Sequence, residues 1–401
     1  MRRRKWLFRF AAMIFGLTAA FILSEIALRV AGIGFPSFYA PDEYCGSRLR
    51  HSTSGVWITE GHGYVSINSH GFRGPQFSLA KPSDVVRIAV LGDSMIEAMQ
   101  VDHQHTFTAQ LQQRLQKAIS SESRVEVINC GVAGYGTAQE LLMLRHYVIS
   151  LQPDLILLSF FPHNDIRNNS FKLAQEPPVP YFNLNDSGEL ELDESFRQSA
   201  AWLAASTAYE QFKASLTNRC RILQVLKQAK LITSSRGNHM LVRSVDDQLQ
   251  AMVDEAPYAY QPTSDEDQLA AIDITGRLLR EFAKECRTHG IPCVIFSSSS
   301  PVQVFPDPDK HHALARRNQI DDWLYSEKLA VQLCGEYASC FFPLTTRMQQ
   351  ELKNSRTYFH GFANVGLGVG HWNENGHATA ARLVADHLME QRLLSPLREL
   401  Q

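Results

Sequence analysis

Four short clusters of polar residues in this sequence combine side chains that could carry out chemistry. Three of them directly follow apolar runs, at residues 92–94, 129–137 and 162–165. The fourth, at residues 370–377, precedes the last helical pattern of the chain. One cluster contains a serine and another a histidine. A serine hydroxyl becomes a good nucleophile only when a base takes its proton, so this pair has the composition of an ester-cleaving centre.

Ser94 and His371 are the candidate nucleophile and base. Attack of the Ser94 hydroxyl on an ester carbonyl places negative charge on the carbonyl oxygen, and hydrogen-bond donors must hold that charge. The candidate donors of this oxyanion hole are the backbone N–H groups of Ser94 and Gly134 and the side-chain amide of Asn164. A side chain at position 134 would block the approach of the oxygen to the main chain, so a glycine suits that position.

Each of these residues also has a structural interpretation. Serine is favoured at the cap of a helix, and Ser94 would open one. Gly134 and Asn164 lie in segments that could be simple turns. His371 and His377 are too far apart in sequence to share one helical face as metal ligands do, and we predict no metal site and no cofactor. The joint presence of four clusters favours a hydrolase site over these separate interpretations.

The elements that must position the clusters follow from hydrophobic patterning. Nearly continuous apolar strands alternate with amphipathic helices, which is typical of a parallel sheet covered by helices on both faces. The predicted strands are residues 85–91, 125–129, 154–161 and 291–296, and the predicted helices are residues 107–119, 138–150, 272–287 and 376–391. Loops at the carboxyl ends of such strands share one edge of the sheet, where ligands bind.

The periodicity also predicts three regions along the chain. Residues 1–33 are a basic segment and an apolar helix, and residues 34–83 are a linker with one accessory strand near residues 64–68. Residues 84–398 form the main α/β domain. Its periodicity weakens over about 171–267, which we interpret as a helical insertion that could cap one edge of the sheet.

In their order, the clusters resemble the four sequence blocks of the SGNH (GDSL-type) serine hydrolase family, in its membrane-anchored bacterial form. Residues 92–94 match the first block, residues 129–134 the second, residues 162–165 the third with Pro162 in place of Gly, and residues 368–371 the fourth. The resemblance implies a three-layer SGNH-hydrolase (flavodoxin-like) fold. It also implies the following roles: Ser94 as nucleophile, His371 as general base, and Ser94, Gly134 and Asn164 as the oxyanion hole.

The fourth block departs from the family pattern at the acid that should orient the base. The pattern is D-x-x-H, but Gly368 stands at the position of the Asp. Loss of this carboxylate costs a triad about 10⁴ in rate. The candidates to replace it are Asp93, Asp165 and Glu374, and the sequence does not choose among them. A backbone carbonyl or a slow Ser–His dyad are the other possibilities.

The first residues have the composition of a membrane-targeting signal. Four positive charges at residues 2–5 lead into an apolar run over residues 6–23 that only Arg9 interrupts. No small-residue cleavage site follows, which favours a single-pass anchor over a signal peptide or a buried core helix. The positive charges predict a cytoplasmic N-terminus with everything after about residue 31 exported, so that the main domain lies in the periplasm.

Composition excludes several other classes of function. The net charge is −2, so the chain lacks the excess of Lys and Arg that nucleic-acid binding requires. With 44% hydrophobic and 20% charged residues it is neither disordered nor fibrous. None of the 7 cysteines forms a C-x-x-C pair that would indicate a zinc or redox motif.

Together these observations predict a serine-dependent ester hydrolase that acts through an acyl-enzyme. An anchored, exported domain meets envelope carbohydrates and lipids, so an O-acyl group on a glycan is the first expected substrate and a lipid or small ester the second. Two alternatives stay open at this point. One is an O-acyltransferase that uses the same centre, and the other is a non-catalytic module for glycan binding or assembly.

Overall fold

The computed structural model of the protein describes residues 2–119, 123–175, 179–237, 244–353 and 355–394. Its strands are β1 Tyr39–Asp42, β2 Gly46–Leu49, β3 Thr53–Trp57, β4 Gly63–Ile67, β5 Val85–Leu91, β6 Arg124–Asn129, β7 Leu155–Phe160, β8 Tyr181–Leu184, β9 Leu190–Asp193, β10 Cys293–Ser297, β11 Phe341–Phe342, β12 His360–Phe362 and β13 Gly366–Trp372.

The described residues also form α-helices. They are α1 Arg2–Val30, α2 Ser94–Glu97, α3 Phe107–Ala118, α4 Thr137–Met143, α5 Pro162–Asn168, α6 Phe171–Ala174, α7 Ala200–Ser206, α8 Ala208–Arg219, α9 Arg221–Gly237, α10 Val245–Glu255, α11 Glu266–Thr288, α12 Pro308–Asn318, α13 Tyr325–Cys334, α14 Leu344–Leu352 and α15 Glu374–Glu390.

A five-stranded parallel sheet with the order β11-β10-β7-β5-β6 forms the centre of the fold. All seven residues of β5 are buried, as expected for a strand covered on both faces. The four predicted strands correspond to β5, β6, β7 and β10. Strand β11 was not predicted, because a strand of two residues leaves no periodicity to detect.

Two hydrophobic cores lie on the two faces of this sheet. Along β5, Ala89 and Leu91 face one core, whereas Ile88 and Val90 face the other, as the two-residue period of a strand requires. Helices α4 and α11 pack in the first core, and α3 and α15 pack in the second. The predicted α/β architecture with helices on both faces is confirmed.

Helix α1 differs from the others in combining great length with high hydropathy. Its residues Arg4–Val30 have a mean hydropathy of 2.0, and within the described residues it is the one helix long and apolar enough to cross a membrane. At 1.5 Å per residue it is about 40 Å long, more than the hydrocarbon thickness of about 30 Å. These properties are compatible with a single-pass membrane anchor or a signal sequence.

The segment of residues 34–83, the accessory segment below, packs beside the sheet. Strands β3 and β4 form an antiparallel hairpin, and β4 coincides with the predicted accessory strand. The Arg73 backbone pairs in isolated β-bridges with Ile67 at the end of β4 and with Asn129 at the end of β6. The buried Arg73 guanidinium also donates to the carbonyl oxygens of Glu97 and Val101, at 2.6 and 2.5 Å. These contacts fix the accessory segment beside the turn that follows β5.

Candidate active site

Ser94 lies at the turn between β5 and α2, at the carboxyl edge of the sheet. Its backbone begins α2, and the preceding residue, Asp93, caps the helix by accepting a hydrogen bond from the Met95 N–H at 2.9 Å. Asp93 thus fills the capping role that the structural interpretation gave to Ser94. Ser94 is partly exposed and is not the residue that caps the helix, so its hydroxyl is available for other hydrogen bonds.

The histidine base and the serine meet in the structure. His371 Nε2 lies 2.9 Å from Ser94 Oγ, although the two residues are 277 positions apart in sequence. His371 belongs to β13, which pairs with β12 in a small antiparallel hairpin beside the main sheet. This is the hydrogen bond through which a histidine can take the serine proton.

A carboxylate that sequence reasoning missed holds the other side of the imidazole. His371 Nδ1 is hydrogen-bonded to Glu60 Oε2, and the His371 backbone N–H donates to Glu60 Oε1 at 2.7 Å. Two contacts from one carboxylate fix both the position of the residue and the orientation of its ring. Ser94, His371 and Glu60 therefore form a serine–histidine–acid arrangement.

Glycines and tight backbone contacts hold Glu60 in place. The His62 N–H donates to the Gln100 carbonyl oxygen at 3.1 Å, and the Gly61 N–H donates to Asn364 Oδ1 at 3.0 Å. At Gly370, whose φ is +78°, an added Cβ would lie 2.1 Å from Glu60 Oε1. The Glu60 carboxylate thus occupies the space that any side chain at position 370 would take.

Position 368 is unable to supply the missing acid. Gly368 lies in β13 with a φ of +89°, which L side chains rarely adopt. A Cβ there would lie 2.5 Å from Phe305 Cε2 and 3.0 Å from the Tyr358 ring. The packing around Gly368 thus leaves no room for an acidic side chain, and the carboxylate that contacts His371 comes from another part of the chain.

The sequence-based candidates for the supporting acid have other contacts in the structure. Glu374 is 61% exposed and lies 3.8 Å from His105, because its position at the start of α15 directs it away from the imidazole. Asp165 accepts the Phe161 N–H at 2.8 Å inside α5 and is buried. Asp93 accepts from Met95 and Asn164 rather than from His371.

The acids differ in ionisation as well as in position. Burial raises the pKa of Asp165 well above its ordinary value, and the neighbouring carboxyls of Glu140 and Asp93 raise it further. Burial and the neighbouring carboxyls therefore disfavour the anionic form of Asp165, which is the form that would stabilise an imidazolium ion. Glu60 is different: burial acts to raise its pKa, but hydrogen bonds and charge from His371 outweigh burial and bring the pKa below its ordinary value.

The His371 imidazole is correspondingly made more basic. Burial acts to lower the pKa of His371, but the hydrogen bond and charge of Glu60 outweigh burial, and the pKa lies above its ordinary value. Smaller contributions from the carboxyls of Asp93 and Glu97 act in the same direction. A stronger base beside Ser94 is a better acceptor for the hydroxyl proton.

The segments that carry the predicted oxyanion donors are hydrogen-bonded to one another. Asn164 Nδ2 donates to Asp93 Oδ2 at 3.0 Å, which places the carboxamide beside the serine turn. The Val132 N–H donates to the Gly92 carbonyl oxygen at 3.1 Å and joins the glycine loop to the same turn. Gly134 has a φ of +80°, and a Cβ built there would have no neighbour within 4 Å, so its backbone borders open space.

The two other histidines near the site, His360 and His377, are buried in packing contacts. His360 is buried, and its Nδ1 lies 2.8 Å from the Gly370 carbonyl oxygen in the hairpin that carries His371. His377 is buried edge-on against Trp372, and burial lowers its pKa to about 3. Within the described residues, no group of three or more His, Cys, Asp or Glu side chains could hold a metal ion.

The Glu60 contact left only a weak signal in the sequence. The accessory segment contains few acidic residues, and Glu60 is the one followed by two closely spaced glycines, Gly61 and Gly63. Cβ atoms at these glycines would lie 2.4 Å from the Gln100 carbonyl oxygen and 2.5 Å from that of Met99. Close backbone packing next to a carboxylate is the feature that could have drawn attention to this position.

Comparisons with known proteins give the following results. No protein-family model matches the sequence, and no curated protein matches it. Among solved structures, the acetylxylan esterase Axe2 from Geobacillus stearothermophilus is 12% identical with a TM-score of 0.36, over 75% of this chain and 92% of that chain. LAE5, an alpha/beta hydrolase enzyme from the metagenome of Lake Arreo, is 13% identical with a TM-score of 0.33, over 75% and 94% of the two chains. The acetyl xylan esterase AlAXEase is 12% identical with a TM-score of 0.37, over 76% and 99%.

Proposed function

We propose that the protein is a serine esterase of the SGNH type in which Ser94 is the nucleophile, His371 the general base and Glu60 the acid of the triad. The observation that carries the proposal is the continuous hydrogen-bonded series from Ser94 Oγ through both nitrogens of His371 to Glu60. The tight backbone hydrogen bond from His371 to the same carboxylate adds to its support.

In the first half of the reaction, Ser94 Oγ attacks the ester carbonyl carbon while His371 Nε2 takes the hydroxyl proton. His371 becomes an imidazolium ion, and the ionised Glu60 stabilises it through the Nδ1–H hydrogen bond. The carbonyl oxygen becomes an oxyanion. The backbone N–H groups of Ser94 and Gly134 and the Asn164 amide are the proposed donors to it, each contributing about 3–4 kcal/mol to the transition state.

Collapse of this intermediate breaks the bond to the leaving alcohol, which takes its proton from the His371 imidazolium. The acyl group then remains on Ser94. In the second half, water attacks the acyl carbon, His371 takes a proton from that water, and Ser94 leaves with the proton returned by His371. The products are one alcohol and one carboxylic acid, and the triad is regenerated.

The proposed location of the domain outside the cytoplasm determines which esters it can reach. In this proposal, α1 holds the protein in the cytoplasmic membrane, and residues 84–398 form the hydrolase domain outside the cytoplasm with residues 171–267 as its insertion. The accessory segment is part of the catalytic unit, because it supplies Glu60. An O-acyl group on an envelope carbohydrate, such as an O-acetyl group, is the proposed substrate, and a lipid ester is the second choice.

Hydrolysis of p-nitrophenyl acetate by the detergent-purified full chain tests the reaction type, and a fluorophosphonate probe tests the nucleophile. The expected result is turnover of the ester and stoichiometric labelling of Ser94, both of which disappear in Ser94→Ala. A chain that neither turns over the ester nor reacts with the probe, while the Ser94→Ala chain still functions in the cell, would overturn the proposal in favour of a binding module. Product analysis with a glycan acceptor separates release to water from transfer.

A further inference from the structure

Helices α7, α8 and α9 present a surface of exposed apolar side chains that the proposed catalysis does not use. We define the α7–α9 surface by six residues: Leu203, Tyr209, Phe212, Leu216, Leu223 and Leu226. Tyr209 is 70% exposed, Phe212 67% and Leu226 60%, which are high values for large apolar side chains. A cluster of exposed apolar side chains of this size is typical of an interaction surface.

Three of these apolar side chains lie on one face of α8. Tyr209, Phe212 and Leu216 recur at spacings of three and four residues and therefore share one face of the helix. Beside this face, Lys213 lies over the Tyr209 ring at 5.9 Å and forms an ion pair with Glu210 at 3.1 Å. The apolar face is uncovered by the described parts of the chain.

This surface is continuous with the apolar helix α1. The Glu25 carboxylate of α1 accepts hydrogen bonds from the first backbone N–H groups of α9, those of Arg221 at 3.1 Å and Ile222 at 3.2 Å. Arg29 of α1 donates to the carbonyl oxygen of Arg219 at the end of α8. The junction of α8 and α9 is therefore fixed to the end of α1 at which a spanning helix leaves the membrane.

The charge of this region complements an anionic lipid surface. Residues 200–237 contain six Lys or Arg residues and a single acidic residue, Glu210, although the whole chain has a net charge of −2. Apolar side chains flanked by basic ones are characteristic of helices that lie in the plane of a membrane interface. Each Lys or Arg near an anionic bilayer adds about 1 kcal/mol of attraction.

We propose that the α7–α9 surface lies on the bilayer from which α1 emerges, with its apolar side chains among the lipid acyl chains and its basic side chains at anionic headgroups. The proposal requires that α1 is retained as an anchor. The Glu25 contacts support retention, because removal of α1 would leave the first N–H groups of α9 without their acceptor. The domain would then rest on the membrane in one orientation rather than turn freely on a tether.

Photocrosslinking of the full chain in lipid nanodiscs tests this docking. Benzoylphenylalanine is placed at Phe212 or Leu226, and at Leu269 as a matched control, which is 47% exposed on α11. A thermal melt that matches the unmodified chain shows that each variant is folded. The expected result is at least a tenfold excess of lipid adducts at positions 212 and 226 over position 269, greater in anionic than in zwitterionic nanodiscs, on chains that retain their N-terminal peptide by mass spectrometry.

Three outcomes would overturn the proposal. Equal lipid labelling at positions 212, 226 and 269 would show that the surface has no preference for the bilayer. Adducts between two copies of the chain at 212 and 226, in place of lipid adducts, would assign the surface to self-association. Chains that lack the N-terminal peptide in membranes would remove the anchor on which the docking depends.

Discussion

Ser94, Gly134 and Asn164 lie in the segments that follow three adjacent strands of one parallel sheet: Ser94 begins α2, Gly134 lies in a loop and Asn164 lies in α5. His371 and Glu60 belong instead to a hairpin and to the accessory segment outside that sheet. We refer to the first three as the sheet-edge group and to the last two as the hairpin group. Hydrogen bonds between the segments that follow neighbouring strands hold the sheet-edge group in place. The hairpin group depends on a contact between residues 311 positions apart.

The comparison shows that the carboxylate beside the imidazole comes from a part of the chain far from the histidine in sequence. The residues of the sheet-edge group are positioned by the order of the strands that they follow. The imidazole needs only a carboxylate at Nδ1, and any segment that reaches this position can supply it. Here the accessory segment does so, and Gly370 leaves the room for its carboxylate.

Removal of the nucleophile should have the largest effect in either group. Ser94→Ala is expected to reduce kcat/KM for p-nitrophenyl acetate by at least about 10⁴-fold, because the covalent step is lost. Ser187→Ala, at an exposed turn between β8 and β9, is the control and should retain full activity. Substantial turnover by Ser94→Ala would mean that the sheet-edge group is not the reaction centre.

The hairpin group can be disrupted without touching an ionisable residue. Gly370→Ala places a methyl group on the Glu60 carboxylate and should reduce kcat/KM by about 10³-fold, somewhat less than complete loss of a triad acid. Gly290→Ala is the matched control, because Gly290 also has a positive φ of +67° but open space around it. If both variants lose activity equally, backbone strain and not displacement of Glu60 is responsible.

The oxyanion donor from α5 should have a smaller effect. Asn164→Ala is expected to reduce kcat by about 10²–10³-fold with little change in KM, because the amide acts mainly on the charge that develops in the transition state. Asn183→Ala, at an exposed position of β8, is the control. A change confined to KM would assign Asn164 to substrate binding instead.

The smallest expected effect is a shift in the pH dependence of kcat/KM, and this shift should occur only when the hairpin group is disrupted. His371 acts as a base only when it is neutral, so kcat/KM should fall as the pH drops below its pKa, which lies above the ordinary value. Asn164→Ala should leave this acid limb in place. Gly370→Ala should move it to lower pH, because without the Glu60 anion the burial of His371 favours the neutral ring. An unmoved acid limb in Gly370→Ala would separate Glu60 from the titration of His371.

Most of the sheet could be predicted from the sequence, because its strands are long apolar runs that lie between helices. The same patterning located the clusters that contain Ser94, Gly134 and Asn164, and the resemblance to the family blocks singled out these three residues. Strand β11 escaped prediction because pairing with β10, rather than its own two residues, makes it a strand. Its extended conformation results from tertiary contacts and not from its own sequence pattern.

Of the hairpin group, His371 could be predicted from the sequence and Glu60 could not. His371 was found through the family blocks, but nothing in the local sequence of Glu60 marks it as a partner of a residue near the other end of the chain. The choice of Asp165 and Glu374 rested on proximity in sequence. Burial and helix position, which decide where a carboxyl points and whether it ionises, become known only in the folded structure.

The central claim is that Glu60 is the acid of the triad, and substitution of Glu60 by glutamine tests it most directly. The measurement is kcat/KM for p-nitrophenyl acetate in Glu60→Gln and in Glu374→Gln, both as full chains with unchanged thermal melts. Glutamine keeps the size of the side chain but removes the charge that stabilises the imidazolium. We predict a loss of about 10⁴-fold for Glu60→Gln and less than about twofold for Glu374→Gln. Full activity in Glu60→Gln, or a large loss in Glu374→Gln instead, would contradict the account.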